Sequence, residues 1–166
     1  MSFRLDNHSI NVWCSRIAIA DVFGDYHLVC PTILFAEEVA KSVSTNQLSY
    51  AYRLMQPLTT IDLFHCHGWM GVCHGEDVIY LFGLPLRLRG FFTEEETQLS
   101  HDMVLAWAEF AKTGKISKIG GVEWNRAYTT EDPYVRLMEL KVGNYKMVPD
   151  FFKDKCDTFW KPKIFK

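Results

Sequence analysis

Residues 69–86 of this chain are WMGVCHGEDVIYLFGLPL, with one histidine, His74, in the glycine-rich part of the stretch. Small residues flank it, and two carboxylates, Glu76 and Asp77, follow it. A general base needs an imidazole that can reach a nucleophile and a carboxylate that holds its tautomer. His74 is therefore a candidate for acid–base chemistry, although a loop histidine is more often an ordinary surface or core residue.

Other ligand-type residues crowd the same segment, namely His65, Cys66, His67 and Cys73. A closed zinc site needs four ligands, typically in close pairs, and the C-x-x-C spacing is absent, so a structural metal is disfavoured. A haem attachment would need C-x-x-C-H, which is also missing. A disulfide between Cys66 and Cys73 is geometrically allowed, but the spacing does not favour it. We prefer the interpretation that one of the two is a small buried hydrophobe.

Composition narrows the possible classes of protein. A chain of 166 residues and 19.3 kDa has the size of one domain, residues 1–166. Its formal net charge of -2 and pI near 6.3 argue against nucleic-acid binding. The sequence contains no run of eighteen apolar residues, so it does not predict a membrane span. The first residues also lack the apolar region of a signal peptide. Asn7-His8-Ser9 is a glycosylation sequon, a short and common motif.

Hydrophobic patterning predicts three helices, two strands and one short helix or turn. Helices are expected at 32–42, 93–114 and 149–165, strands at 48–57 and 134–141, and the short helix or turn at 77–86. The second helix has the clearest boundaries, because Thr93 with Glu96 forms a capping-box pattern and Gly114 can end it. This order indicates α/β layering. Two strands are too few to cover so many apolar helix faces, so the chain is expected to be part of a larger fold.

Several motifs together resemble the carboxylesterase/cholinesterase family. The stretch 69–86 resembles the family's catalytic-histidine segment, a tryptophan followed by His-Gly and then F-G-x-P. Four further segments resemble family motifs in the expected order: FGDYHLVCPT (23–32), EEETQLSHDMVLAWAEFAKTG (94–114), WNRAY (124–128) and KCDTFW (155–160). The resemblance covers roughly residues 20–162.

The resemblance implies the C-terminal portion of an α/β-hydrolase fold, incomplete on its own. His74 would be the triad histidine of a serine carboxylic-ester hydrolase, and His65, His67 and the nearby cysteines would be bystanders. None of the serines has glycine two residues away on both sides, so the G-x-S-x-G nucleophile motif is missing. The triad acid and oxyanion loop are also expected outside the chain. The chain alone is therefore expected to be inactive, and no cofactor or metal is implied.

The resemblance to the family also implies which cysteines form a disulfide. Cys30 and Cys156 match two that the family joins in a disulfide, which implies an oxidising compartment and a secreted parent protein. Cys14, Cys66 and Cys73 remain, so at least one thiol is expected to stay free or to pair between chains.

Two departures from the family pattern affect specificity and assembly. Glu76 stands where cholinesterases have a tyrosine beside the choline pocket, which is closer to general carboxylesterases. The spacing from Cys156 to Trp160 is one residue longer than usual. The last helix is expected at a homodimer contact, with apolar surface from Phe151, Phe152 and Phe159. The alternative function is a non-catalytic, cholinesterase-like adhesion or binding protein that has lost the serine.

Overall fold

A computed structural model describes residues 7–42, 49–59, 66, 68–128, 135–149 and 152–164. These residues form two compact units. The terminal unit contains residues 7–42 and 152–164, and the central unit contains the described residues between 49 and 149. Each unit has its own core, and each is described separately below.

Helices and strands follow one another along both units. In chain order they are α1 (Asn7–Gly24), a π-helical segment (Asp25–Val29), α2 (Cys30–Ser42), β1 (Tyr52–Leu54), a 3₁₀ turn (Gly68–Met70), α3 (Glu76–Leu81), α4 (Leu84–Arg87), a 3₁₀ turn (Arg89–Phe91), α5 (Glu94–Thr113), β2 (Lys118–Ile119), β3 (Val122–Glu123), β4 (Arg136–Leu140), β5 (Lys146–Pro149), α6 (Lys153–Lys155), a π-helical segment (Cys156–Trp160) and α7 (Lys161–Ile164).

The terminal unit is organised around a disulfide between Cys30 and Cys156, the pairing that the resemblance implies. Both cysteines are fully buried, and Ile33 completes their small core. Beside this core, the Lys153 ammonium lies 2.6 Å from a carboxylate oxygen of the buried Glu37. Helix α2 is thus joined covalently to the π-helical segment Cys156–Trp160 and by a charge pair to α6.

One helical stretch of the terminal unit, Cys14–Val39, is long and apolar enough to cross a membrane by length and composition alone. Asp21 and Asp25 interrupt its apolar sequence. Its second half also makes contacts typical of a helix packed inside a protein. Asp25 accepts a hydrogen bond from Lys155 at 2.6 Å, and Glu37 pairs with Lys153. These contacts lie in the second half of the stretch, whereas residues 14–23 are exposed.

The central unit contains two small sheets. The first has the order β1-β4-β5, in which β1 runs parallel to β4 and β4 antiparallel to β5. In this register Tyr52 lies opposite Met138. The second sheet is the β2–β3 hairpin, which turns at Gly120 and Gly121. A β-carbon on Gly120 would overlap the Tyr145 ring, so the backbone approach requires glycine there.

Helix α5 supplies much of the central core. The predicted capping box is confirmed, because the Thr93 side chain accepts from the Glu96 amide and Glu96 accepts from the Thr93 amide. Gly114 ends the helix in the left-handed conformation, as predicted. Leu99 and Met103 are fully buried on its inner face. The amphipathic pattern of the sequence therefore marks a core-facing helix, which positions the neighbouring α3.

Strand content is where the sequence prediction differs from the structure. The predicted strands at 48–57 and 134–141 correspond to the shorter β1 and β4. The prediction of only two strands is wrong, because the described residues contain five. The strands β2 and β3 have two residues each, too few to show a period of two, and β5 ends at a proline.

Candidate active-site segment

The segment around His74 is a tight turn at the start of α3. The Glu76 amide donates to the Cys73 carbonyl at 3.3 Å, which closes the turn around His74 and Gly75. Gly75 has φ of 88°, a left-handed conformation that side chains with a β-carbon rarely adopt. The His-Gly sequence therefore allows the chain to enter α3 immediately after the histidine.

The His74 side chain is exposed at this turn. Within the part of the chain that the structure describes, we find no hydrogen-bond partner for its imidazole. Its position is accordingly set by the backbone on either side. His65 and His67, which the sequence analysis treats as bystanders, lie outside the described residues.

Cys66 and Cys73 are joined in a disulfide, with 6.0 Å between their Cα atoms. The expectation that one of them is an isolated buried hydrophobe is therefore wrong, and both are partly exposed. Sulfur atoms of this pair and a Glu76 oxygen lie within 4.8 Å of one another. Metal ligation by cysteine requires a thiolate, so the bonded pair does not offer a metal site. Cys14 is then a free thiol, and it is exposed.

Glu76 is the first residue of α3, and its side chain is only 1% exposed. Its carboxylate accepts a hydrogen bond from the Leu58 amide at 3.1 Å. Burial raises the pKa of Glu76 above its ordinary value, and the nearby Glu96 carboxylate acts in the same direction. Glu76 therefore fastens the His74 turn to the chain after β1, rather than facing solvent beside the histidine.

Glu96 reinforces the same attachment from α5. Its carboxylate accepts from the Thr59 amide at 2.7 Å and from the Thr59 hydroxyl at 3.0 Å, in addition to its role in the capping box. Tyr80 of α3 donates its hydroxyl proton to the Pro57 carbonyl at 3.2 Å. We call Glu76, Tyr80 and Glu96 the polar clamp on residues 57–59. Desolvation raises the pKa of Tyr80, so its hydroxyl remains a donor across the neutral range.

Asp77, the other carboxylate after His74, is engaged elsewhere. It accepts a hydrogen bond of 2.6 Å from the Tyr52 hydroxyl of β1. Burial, and then this hydrogen bond, raise the pKa of Tyr52, so the phenol stays protonated. Asp77 thus connects α3 to the sheet and is not placed as the acid partner of His74.

The remaining predicted residues lie in the terminal unit. Asn7 is the first residue of α1. Phe152 packs against the disulfide core, whereas Phe159 is 52% exposed, and Phe151 lies outside the described residues. Of the two described members of the predicted dimer surface, Phe159 is thus the one whose side chain is open to solvent.

Comparison with known proteins identifies the wider group. A model of the carboxylesterase family matches residues 6–160. The chain belongs to the carboxylesterase family. This family match covers the His74 turn, the polar clamp and both disulfides, and it agrees with the resemblance carried by the sequence motifs.

Individual relatives of this carboxylesterase-family chain are cholinesterases. Acetylcholinesterase of Gallus gallus is 36% identical over 133 residues, which are 78% of this chain and 17% of the relative. Acetylcholinesterase-1 of Trittame loki is 30% identical over 149 residues, 89% of this chain and 25% of the relative. Cholinesterase of Mus musculus is 33% identical over 159 residues, 90% of this chain and 24% of the relative. The chain therefore spans a quarter or less of the length of these relatives.

The sequence does not predict three features of this carboxylesterase-family segment, although the first of them is geometrically allowed by it. They are the Cys66–Cys73 disulfide, the contacts of Glu76 and Glu96 with residues 57–59, and the Tyr52–Asp77 hydrogen bond. The capping-box pattern does mark Glu96 as a residue near a helix start. Its second partner, Thr59, lies 37 residues away, and no local pattern predicts such a pair.

Proposed function

We propose that this chain is the C-terminal portion of an α/β-hydrolase-fold serine carboxylic-ester hydrolase, in which His74 is the general base. The observation that carries the proposal is the exposed His74 at a backbone-fixed turn in a chain of the carboxylesterase family. An imidazole open to solvent on this chain can receive a nucleophile supplied by other residues of the parent protein.

In the proposed reaction, His74 takes the proton of a serine hydroxyl as the serine oxygen attacks the ester carbonyl. The imidazolium then gives that proton to the leaving alcohol, and an acyl-enzyme remains. In the second half, His74 takes a proton from water, the water oxygen attacks the acyl carbonyl, and the proton returns to the serine. The serine, the triad acid and the oxyanion hole belong to residues outside this chain in the proposal, because the sequence lacks a G-x-S-x-G motif.

Exposed apolar side chains support the proposal that more protein covers these elements. Phe23 and Phe35 of the terminal unit are 63% and 71% exposed, and Phe82 of the central unit is 79% exposed. Large exposed apolar groups mark interaction surfaces when they cluster. In the parent protein we expect such residues to contact the missing part of the hydrolase fold, and Phe159 to remain available for a homodimer contact.

The substrate class in this proposal is a small carboxylic ester rather than a choline ester specifically. The relatives are named acetylcholinesterase and cholinesterase. Here Glu76 occupies the position of the pocket tyrosine, and its carboxylate is buried against the Leu58 amide. It therefore offers a substrate neither an aromatic face nor an accessible charge. An oxidising, secreted setting fits the two disulfides.

Labelling with a serine-directed fluorophosphonate tests the proposal. The native protein is captured with an antibody against residues 93–114 and is labelled before electrophoresis. A labelled band several times heavier than 19.3 kDa, with the label on a serine outside residues 1–166, is the expected result. A heavy band without label would contradict it and favour the adhesion protein. A native band at 19.3 kDa would exclude the usual triad.

A further inference from the structure

The backbone on both sides of His74 is fixed by different means. On the C-terminal side, Glu76 is buried and bonded to the Leu58 amide. On the N-terminal side, Cys73 is bonded covalently to Cys66. Since the imidazole itself has no partner within the described segments, these two attachments determine where the side chain can be.

The disulfide is the attachment that lies nearer to His74 in sequence. Cys73 is the adjacent residue, and its carbonyl accepts the hydrogen bond that closes the His74 turn. Cys66 lies seven residues before Cys73, across the 3₁₀ turn Gly68–Met70. A short covalent ring therefore restrains the backbone directly before the proposed base.

The two disulfides of the chain differ in their accessibility to a small thiol. Cys66 and Cys73 are partly exposed, and exposed residues such as Trp69 and Met70 lie between them in the ring. Cys30 and Cys156 are each fully buried. Thiol–disulfide exchange requires a thiolate to reach a sulfur atom, so a small reductant should attack the short ring first.

We propose that the Cys66–Cys73 disulfide is a positioning element for His74 that small thiols can open, so that ester hydrolysis depends on the redox state of this pair. This inference rests on the proposed function. A reductant such as glutathione supplies the electrons: one thiolate attacks a sulfur of the pair to form a mixed disulfide, and a second displaces the protein sulfur. The protein disulfide gains two electrons and two protons, and two glutathione molecules become one glutathione disulfide.

Opening the pair removes one restraint and leaves the other. Glu76 still holds the start of α3, but the chain before His74 is no longer tied to Cys66. Misplacing a catalytic group by about 1 Å can lower a rate by about 100-fold. In the native protein, which supplies the serine, reduction is therefore expected to lower ester turnover by roughly 10- to 100-fold, and reoxidation should restore it.

The test uses the complete 166-residue chain with Cys14→Ser, which removes the free thiol. The chain is equilibrated in glutathione buffers of increasing reducing strength, free thiols are blocked with N-ethylmaleimide, and the modified cysteines are mapped by mass spectrometry. We expect Cys66 and Cys73 to be modified in buffers that leave Cys30 and Cys156 bonded. Reduction of both disulfides in the same buffer would refute the selective opening of Cys66–Cys73.

Nuclear magnetic resonance of the histidine side chains provides the positional readout. We expect the His74 side-chain resonances to shift when Cys66–Cys73 opens, and the His101 resonances on α5 to stay unchanged. The Cys66→Ser/Cys73→Ser variant should show the same His74 resonances as the reduced chain. Comparing the oxidised and reduced forms of the chain that keeps both cysteines gives the same test without substituting them. Unchanged His74 resonances after opening would show that the disulfide stabilises the chain only, and the proposal would fail.

These readouts do not require catalysis, so they separate the two proposals. A redox-dependent His74 signal together with absent fluorophosphonate labelling would refute the esterase function and, with it, the effect on turnover. Labelling together with turnover that does not respond to opening the pair would refute only the redox inference. Labelling with turnover that falls on reduction and returns on reoxidation would support both.

Discussion

Two substitutions of Glu76, by alanine and by glutamine, separate the contribution of its hydrogen bond to stability from the contribution of its charge. Glu76→Ala removes the carboxylate oxygen that accepts a hydrogen bond from the Leu58 amide at 3.1 Å. Both residues are buried, since Glu76 is 1% exposed and Leu58 is 7% exposed. A buried donor left without an acceptor costs about 1–3 kcal/mol. Glu76→Gln keeps an oxygen in nearly the same place, so it should cost less than about 1 kcal/mol where the wild-type carboxyl is protonated.

The raised pKa of Glu76 determines the direction in which its contribution to folding stability changes with pH. Burial raises the pKa of Glu76, so the folded protein holds this proton more tightly than the unfolded chain does. An acid of this kind contributes most to stability below its ordinary pKa, and the contribution is lost as pH rises through the raised pKa. Glutamine does not titrate. The stability of Glu76→Gln relative to wild type should therefore increase as the pH rises above 4.5, the ordinary pKa of a glutamate.

Urea unfolding followed by tryptophan fluorescence measures these differences, with the exposed Glu95→Gln as the matched control. Glu76→Ala should be destabilised at every pH, and the stability of Glu76→Gln should rise relative to wild type as the pH increases. The reasoning would be refuted if both Glu76 variants lost the same free energy at every pH. It would also be refuted if the difference between Glu76→Gln and wild type moved in the opposite direction with pH.

Three further predictions concern stability. Thr93→Ala should cost about 1 kcal/mol in urea unfolding, because it removes the side-chain acceptor of the capping box; no loss would contradict that role. Replacing both Cys30 and Cys156 by alanine should cost about 5 kcal/mol for a loop of 126 residues, and a calorimetric loss below 1 kcal/mol would refute the estimate. Lys153→Met should cost about 3–5 kcal/mol by removing the cation beside the buried Glu37, and adding Glu37→Gln should recover part of it; no recovery in thermal melts would contradict the charge argument.

Local patterns in the sequence predict the parts of the fold that depend on neighbouring residues. The helix α5 is predictable because its cap, its apolar spacing and its final glycine all lie within one segment. The turn at His74 is likewise marked by its glycine and by the carboxylates that follow. Family motifs add the Cys30–Cys156 pairing, which no local pattern can supply across 126 residues.

Features that depend on distant or very short segments could not be predicted. The strands β2 and β3 are too short to show alternation of apolar and polar residues. The strand β5 pairs with β4 because the chain turns back after β4. Glu76 looks like a solvated carboxylate in the sequence, since nothing nearby indicates that Leu58 donates to it from 18 residues away. The Cys66–Cys73 spacing is compatible with bonded or free thiols, and the path of the loop between them decides the outcome.

Turnover by the native protein tests whether His74 is the base of an ester hydrolase. Hydrolysis of p-nitrophenyl acetate is measured for wild type, His74→Gln and His101→Gln, the second being an exposed histidine on α5. We predict that kcat falls at least about 1000-fold in His74→Gln and stays near wild type in His101→Gln. Equal turnover by wild type and His74→Gln would contradict it.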